Sequence, residues 1–154
     1  MYTNCQQTAQ TQKDLNDYLL ECLSQNNPQH ADLQTRHLEM NLFSNLKAAE
    51  TMLEAKLYSH YDRVYIAGIL EQKGLIKLAI ENYISMTDVK RCLALVKESD
   101  EVWITSYFKN LDNDNLATCL SCMVSKQSVK LCLKLLLKFH DKLGPENVIN
   151  IMKN

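Results

Sequence analysis

The side chains best equipped for chemistry in this 154-residue chain are its six cysteines, and Cys119 and Cys122 stand in the CxxC spacing of a redox dithiol or half a zinc site. Their surroundings argue against either use. The pair sits inside a helical apolar pattern, LATCLSCMV, with no strand pattern before it and no second CxxC or CxxH at zinc-finger spacing after it. Cys132 and His140 are the only later candidate ligands. Of the six thiols, Cys5, Cys22, Cys92, Cys119, Cys122 and Cys132, most lie among Leu and Met on apolar helical faces, where reduced, buried thiols are expected. The histidines, His30, His37, His60 and His140, have no evident catalytic partner. Gly68 and Gly74 stand alone in helical sequence, so neither a phosphate loop nor a nucleophile elbow is present. The chain is therefore not expected to be an enzyme, and no cofactor or metal is expected.

Charge and aromatic groups point to packing. Lysine supplies all the basic charge apart from Arg36, Arg63 and Arg91. Arginine's planar fork holds a carboxylate in fixed geometry, which assigns these three to pairing between helices or repeats, with Glu39, Asp62 and Asp88 among the available partners. A solvated-face role stays open for each. Val102, Trp103, Ile104, Tyr107 and Phe108 form the densest aromatic patch. At helical spacing such residues are expected in a core, the alternative being a peptide-binding platform.

These side chains must be carried by helices. With 46% hydrophobic residues, three glycines and two prolines, the chain has ample core material and few breakers. A formal net charge of −1 gives no broad field, so nucleic acid and anionic membrane are not expected partners. No apolar run approaches the roughly 20 residues of a membrane span, and MYTNCQQTAQTQ lacks the parts of a signal peptide. A cytoplasmic protein without direct membrane insertion is expected.

Residues 1–11 are polar and without period, and are expected to be frayed; residues 12–154 read as a single α-solenoid domain, a fragment of a longer chain. Helical periodicity begins at Leu15, with Leu15, Tyr18, Leu19, Cys22 and Leu23 as the expected apolar face, and stops in SQNNP; it resumes through DLQTRHLEMNLF with Arg36 and Glu39 one turn apart, and again from a Ser44 or Asn45 cap. The stretch from His60 to Arg91 reads as a helical hairpin. Gly74 supplies the left-handed residue between its helices, Ala67 and Ala79 allow close backbone approach, and Leu70, Leu78 and Tyr83 fill the seam. Thr87 is the expected cap of the next helix. Asp100 and Glu101 start EVWITSYFKNL, DNDN caps LATCLSCMV, and Ser125 or Gln127 opens SVKLCLKLLLKFHDKL, whose apolar residues spread around much of the cylinder, so that contact on more than one side is expected. Gly144-Pro145 begins a last helix. The expected fold is all-α, an αα-superhelix of about five stacked hairpins, because one hairpin cannot bury its own faces.

Several of these segments carry a family resemblance. LQTRHLEMNL (33–42), SHYDR with Ile66-Ala67, EQKGLIKLAIENY (71–83) and DVKR (88–91) resemble the distal leg of the clathrin heavy chain family. VWITSYFKNLDNDNLATCLSCMV (102–124), through Trp103, Tyr107-Phe108, Leu116, Cys119 and Leu120, and then SVKLCLKLLLKFHDKL resemble the helices that follow. The likeness covers about residues 12–154. It implies a structural coat protein: a leg segment of a three-legged molecule that polymerises with other heavy chains into cages on the cytosolic face of coated pits and vesicles. Adaptor and light-chain binding are implied for the whole protein, mostly outside these residues. Ala67, Leu70, Gly74, Leu78, Ala79, Tyr83 and Trp103 then become packing residues of a repeat, and Arg36, His60, Asp62, Arg63, Asp88 and Arg91 become candidates for polar contacts between repeats. The competing reading is a tetratricopeptide-like or vacuolar-sorting adaptor that holds peptides in a groove. Exposure of Trp103, Tyr107 and Asn82 would favour it.

Overall fold

Apolar residues recur three and four apart through most of the chain, and in the computed structural model they fold into helices, with no strand among the described residues. The structure describes residues 2–126 and 129–153, with side chains from Gln7 onward. Gln127, one of the two expected openings of the SVKLCL helix, and the side chain of Cys5 lie outside the described residues. The helices gather into two compact units, residues 1–70 and 71–154.

The first unit holds α1 (Tyr2–Leu23), α2 (Ala31–Ser44), α3 (Leu46–Glu54) and most of α4 (Arg63–Gln72). Helix α2 packs on both α1 and α3. Leu23, Leu38, Leu42, Ala49, Ile66 and Leu70 are almost wholly excluded from solvent. Helix α1 starts far ahead of the Leu15 expected from periodicity. Residues 7–15 are all exposed, so this extension answers to local terms: Gln10 Nε2 donates to Asp14 Oδ1 one turn on (2.7 Å), and glutamine is a good helix former. Apolar period cannot report a helix that faces water all round. Leu15 and Tyr18, read as its buried face, are also exposed, as is Cys22.

Asn26, at φ 50°, turns the chain out of α1, and Asn27 accepts from the Gln29 N–H (2.9 Å) to start a 3-10 turn at Pro28–His30 that leads into α2. Asn45, one of the two expected caps, accepts from the Ala48 N–H (3.2 Å) and starts α3.

The second unit contains the end of α4 followed by α5 (Ile76–Asn82), α6 (Met86–Leu93), α7 (Glu101–Lys109), α8 (Asn113–Val124), α9 (Val129–Leu143) and α10 (Pro145–Met152). Gly74, at φ 77°, closes α4 by donating its N–H to the Glu71 carbonyl (3.0 Å), the left-handed role expected of it. Helix α6 packs on α8, and α10 packs on both α8 and α9. One core runs through these helices around Phe108, which meets Phe139 edge-on at 6.2 Å.

Two expectations need correction. The cap of α6 is Ser85, whose Oγ accepts from the Thr87 N–H (3.3 Å), so Thr87 lies one step inside the helix it was expected to cap. Both residues satisfy the composition of a cap, and only the backbone decides which has the extended conformation a cap needs. Helix α9 is covered on one side only: Leu131, Cys132, Leu135, Leu136, Phe139 and Leu143 are buried, while Val129, Leu133 and Leu137 are exposed. The inner side of a two-layer hairpin stack gives a helix its cover, and α9 carries more leucine than that side can take.

Candidate functional site

The polar groups of this protein gather into seams between helices, and one register recurs in the second unit. Cys119 Sγ lies 3.6 Å from Met86 Sδ, 33 residues earlier, and Cys122 Sγ donates to the Lys90 carbonyl (3.5 Å), 32 residues earlier. An offset of 33 also recurs between α9 and α7, where Lys134 meets Glu101 (2.5 Å), Lys138 meets Thr105 (3.5 Å) and Lys142 meets the Lys109 carbonyl (3.2 Å); Lys138 in addition reaches Glu101 (3.1 Å), 37 residues earlier. Lys142 also donates to the Leu111 carbonyl (2.5 Å). Its ammonium therefore serves the open C-terminal carbonyls of α7, where a positive charge is favoured. Lysines four apart on α9 read out residues four apart on α7. That is how a helical hairpin repeat of about 33 residues would stack.

Nearer the start of this unit the seam is built on Glu71. Its two oxygens take a bidentate fork from Arg91 (Nε to Oε1 3.0 Å, Nη2 to Oε2 2.7 Å), and Oε2 also accepts from the Tyr83 hydroxyl (2.6 Å). Arg91 Nη1 donates to Asp88 Oδ1 (2.6 Å), and the guanidinium lies 5.5 Å from the Tyr83 ring centroid. The hydrogen bonds from Arg91 hold the Glu71 carboxyl down at about 2. Burial, with the Glu71 charge beside it, pushes the Tyr83 hydroxyl up to about 12. Trp103 is half-buried, stacked on Tyr107 at 5.7 Å, and donates its Nε1–H to Glu81 Oε1 (2.7 Å). Asp100 pairs with Lys77 (2.9 Å).

In the first unit the seam joins the turn before α4 to the turn before α2. Asn26 Oδ1 accepts from the Ser59 N–H (3.0 Å) and from Gln34 Nε2 (3.0 Å), while Asn26 Nδ2 donates to Ser59 Oγ (2.8 Å). Gln34, fully buried, accepts the His60 N–H on Oε1 (3.0 Å). Thr35 Oγ1 accepts the Asp62 N–H (2.9 Å), and Asp62 Oδ1 caps α4 at the Tyr65 N–H (3.0 Å). Deeper in, His37 Nε2 is 2.7 Å from Asn16 Oδ1 and Nδ1 is 2.7 Å from the Tyr58 hydroxyl, with Asn41 Nδ2 donating to the same Asn16 oxygen (2.8 Å).

Against this geometry the sequence-based residues sort unevenly. Asp88 and Arg91 meet in one cluster, together with Tyr83. Asp62 enters a seam through both its N–H and its carboxylate, whereas His60 enters through its backbone and leaves its side chain exposed. Arg36 is exposed, and Glu39, its expected partner, accepts instead from the Tyr65 hydroxyl (2.5 Å). Arg63 is the exposed first residue of α4. Ala67, Leu70 and Ala79 are fully buried and Leu78 is half-buried. The sequence reading missed Asn16, Asn26, Gln34, His37, Asn41, Tyr58 and Glu71, which hold the first-unit seam and the Arg91 cluster together. No short pattern marks them, since each acts on a partner 8 to 33 residues away.

The CxxC pair lacks the setting of reactive thiols. Cys119 is fully buried and burial pushes its thiol up to about 11, which keeps it protonated. Among the described residues no group of three or more His, Cys, Asp or Glu is placed to hold a metal ion.

Short helices stacked on one another and tied by polar seams, two of which share an offset of 32–33 residues, define a helical hairpin repeat protein. A family model, the region in clathrin and VPS, matches residues 6–132, and the chain belongs to this clathrin repeat family, whose fold is an α-solenoid. The chain is 32% identical over 139 residues to a clathrin heavy chain of Drosophila melanogaster and 32% identical over 140 residues to clathrin heavy chain 2 of Homo sapiens. These alignments take in 88% and 89% of this chain and 8% of each relative. A probable clathrin heavy chain 1 of Caenorhabditis elegans is 30% identical over 154 residues, 98% of this chain and 9% of that protein. The chain thus spans less than a tenth of the length of the curated relatives it matches. No solved structure gives a significant match.

Proposed function

We propose that this chain is a structural segment of a clathrin-like coat, a stretch of leg in a molecule that assembles with other heavy chains into cages for vesicle transport and endocytosis. The observation that carries this reading is the 32–33 residue offset that recurs in the α6–α8 and α7–α9 seams, in a chain whose relatives are clathrin heavy chains. A leg must hold its curvature under the forces of assembly, and bidentate and backbone-directed polar bonds fix helix orientation better than apolar contact alone. Such a role asks for no active site. Its site is the cytosolic face of coated pits and vesicles; no described helix is long and apolar enough to cross a membrane. Arg91 and Asp88 act in it as contacts between repeats, while adaptor and light-chain binding belong to the whole protein.

The adaptor reading requires a groove lined with free polar and aromatic groups. Asn82 is instead buried, donating its Nδ2 to the Leu78 carbonyl (2.8 Å), and Trp103 is stacked and hydrogen-bonded, which supports the coat role. Electron microscopy of the native full-length protein tests it. Three-legged particles, and cages on concentration, are expected; a compact particle without legs overturns the reading.

A further inference from the structure

His37 is the one histidine among the described residues that is wholly excluded from solvent, and every polar atom of its ring is committed. A carbonyl oxygen only accepts, so the contact to Asn16 Oδ1 places the proton on Nε2. The neutral ring then accepts at Nδ1 from the Tyr58 hydroxyl. This bond set ties three pieces of the first unit together: Asn16 from α1, His37 and Asn41 from α2, and Tyr58 from the segment that follows α3. Leu23 is the one buried residue of α1 among those described, and residues 7–15 are exposed.

From this cluster we infer that His37 is a proton-operated latch: the neutral ring fastens α1 to α2, and its protonation in mildly acidic solution releases α1. A second ring proton at Nδ1 would face the Tyr58 hydroxyl, which must then stop donating and find another acceptor while itself 5% exposed. Among the described residues the ring's hydrogen-bond partners are Asn16 and Tyr58, neither of them a carboxylate, so the charge itself would stand uncompensated. From α1 the ring meets only the uncharged Asn16, with Lys13 and Asp17 on either side of it exposed. Glu39 on α2 is engaged by Tyr65, and Glu50 on α3 pairs with Lys47 (3.5 Å). His30, which precedes α2, has a buried Nδ1 without a hydrogen-bond partner and is the other titratable group to control.

Burial holds the His37 ring below the ordinary histidine value of 6.5. A group whose pKa is lowered on folding supports the fold fully above the unfolded value and progressively less below it. Release therefore begins near pH 6.5 and levels off below the folded pKa. The test follows two signals across pH 7.5 to 5.0: the His37 ring resonances, and amide exchange of residues 12–23 corrected for intrinsic rate. In the wild-type protein the ring is expected to titrate below 6.5, and exchange in α1 is expected to rise about threefold or more with the same midpoint. His37→Leu combined with Tyr58→Phe should flatten the exchange profile, and His30→Asn should leave it unchanged. Exchange in α1 that does not change with pH, or changes with a midpoint apart from that of the ring, overturns the latch, and both readings come from the wild type alone. A pH response that survives the double variant, or vanishes with His30→Asn, overturns it as well.

Discussion

Glu71 shows how much one carboxylate can organise: it accepts from both the fork of Arg91 and the Tyr83 hydroxyl, 20 and 12 residues further on. Gln keeps the shape and loses the charge, so one arm of the fork would face an amide that donates. Glu71→Gln is expected to destabilise the second unit by about 1–2 kcal/mol in urea unfolding, below the full value of a buried charged pair because Arg91 is 53% exposed. The pH dependence has a definite sign. The folded carboxyl is held at about 2, below its ordinary value, so its stabilising contribution is present above the unfolded carboxylate pKa and is lost as pH falls toward 2. The wild-type curve should drop over that acid range, and the variant should drop less. The arginine and Asp88 were legible in the sequence as parts of a pairing, since arginine is scarce in this chain. Glu71 was not, because it reads as an ordinary acid in EQKG on the surface of a helix.

At the scale of an element, α9 separates composition from environment. Leu136 and Leu137 are adjacent, alike in chemistry, and 6% and 73% exposed. Leu136→Ala is therefore expected to cost about 2–5 kcal/mol and Leu137→Ala less than about 0.5 kcal/mol, measured as the change in urea midpoint at constant slope. Equal effects would mean that α9 is covered on both sides. Helix starts were more legible than helix faces. Asn45, Asp112 and Gly144-Pro145 all mark the boundaries where they were expected. Caps and prolines act on the backbone within four residues, so their meaning is local. Ser85 against Thr87 shows the residual ambiguity of two competent caps two positions apart, and the exposed start of α1 shows helix that apolar period does not register.

The whole molecule depends on cores that no single hairpin could form. Phe108 is fully buried at the centre of the second unit, against Phe139 from a helix some thirty residues on. Phe108→Ala is expected to cost about 3–5 kcal/mol and to lower exchange protection across α6 to α9 together, whereas loss confined to α7 would show that the hairpins open independently. By itself the sequence determined the helical class, the approximate position of most helices, and the family, through segments such as LQTRHLEMNL and SHYDR. All of these rest on composition or on neighbours within about one helical turn. Only the tertiary structure decided that lysines on α9 read out α7 at an offset of 33, that Glu71 and not Glu39 receives an arginine, and that His37 is sealed between Asn16 and Tyr58. Those partners lie 20 to 33 residues apart. Which of many compatible polar groups meet is set by how one hairpin stacks on the next, and the chain writes that geometry nowhere in a local pattern.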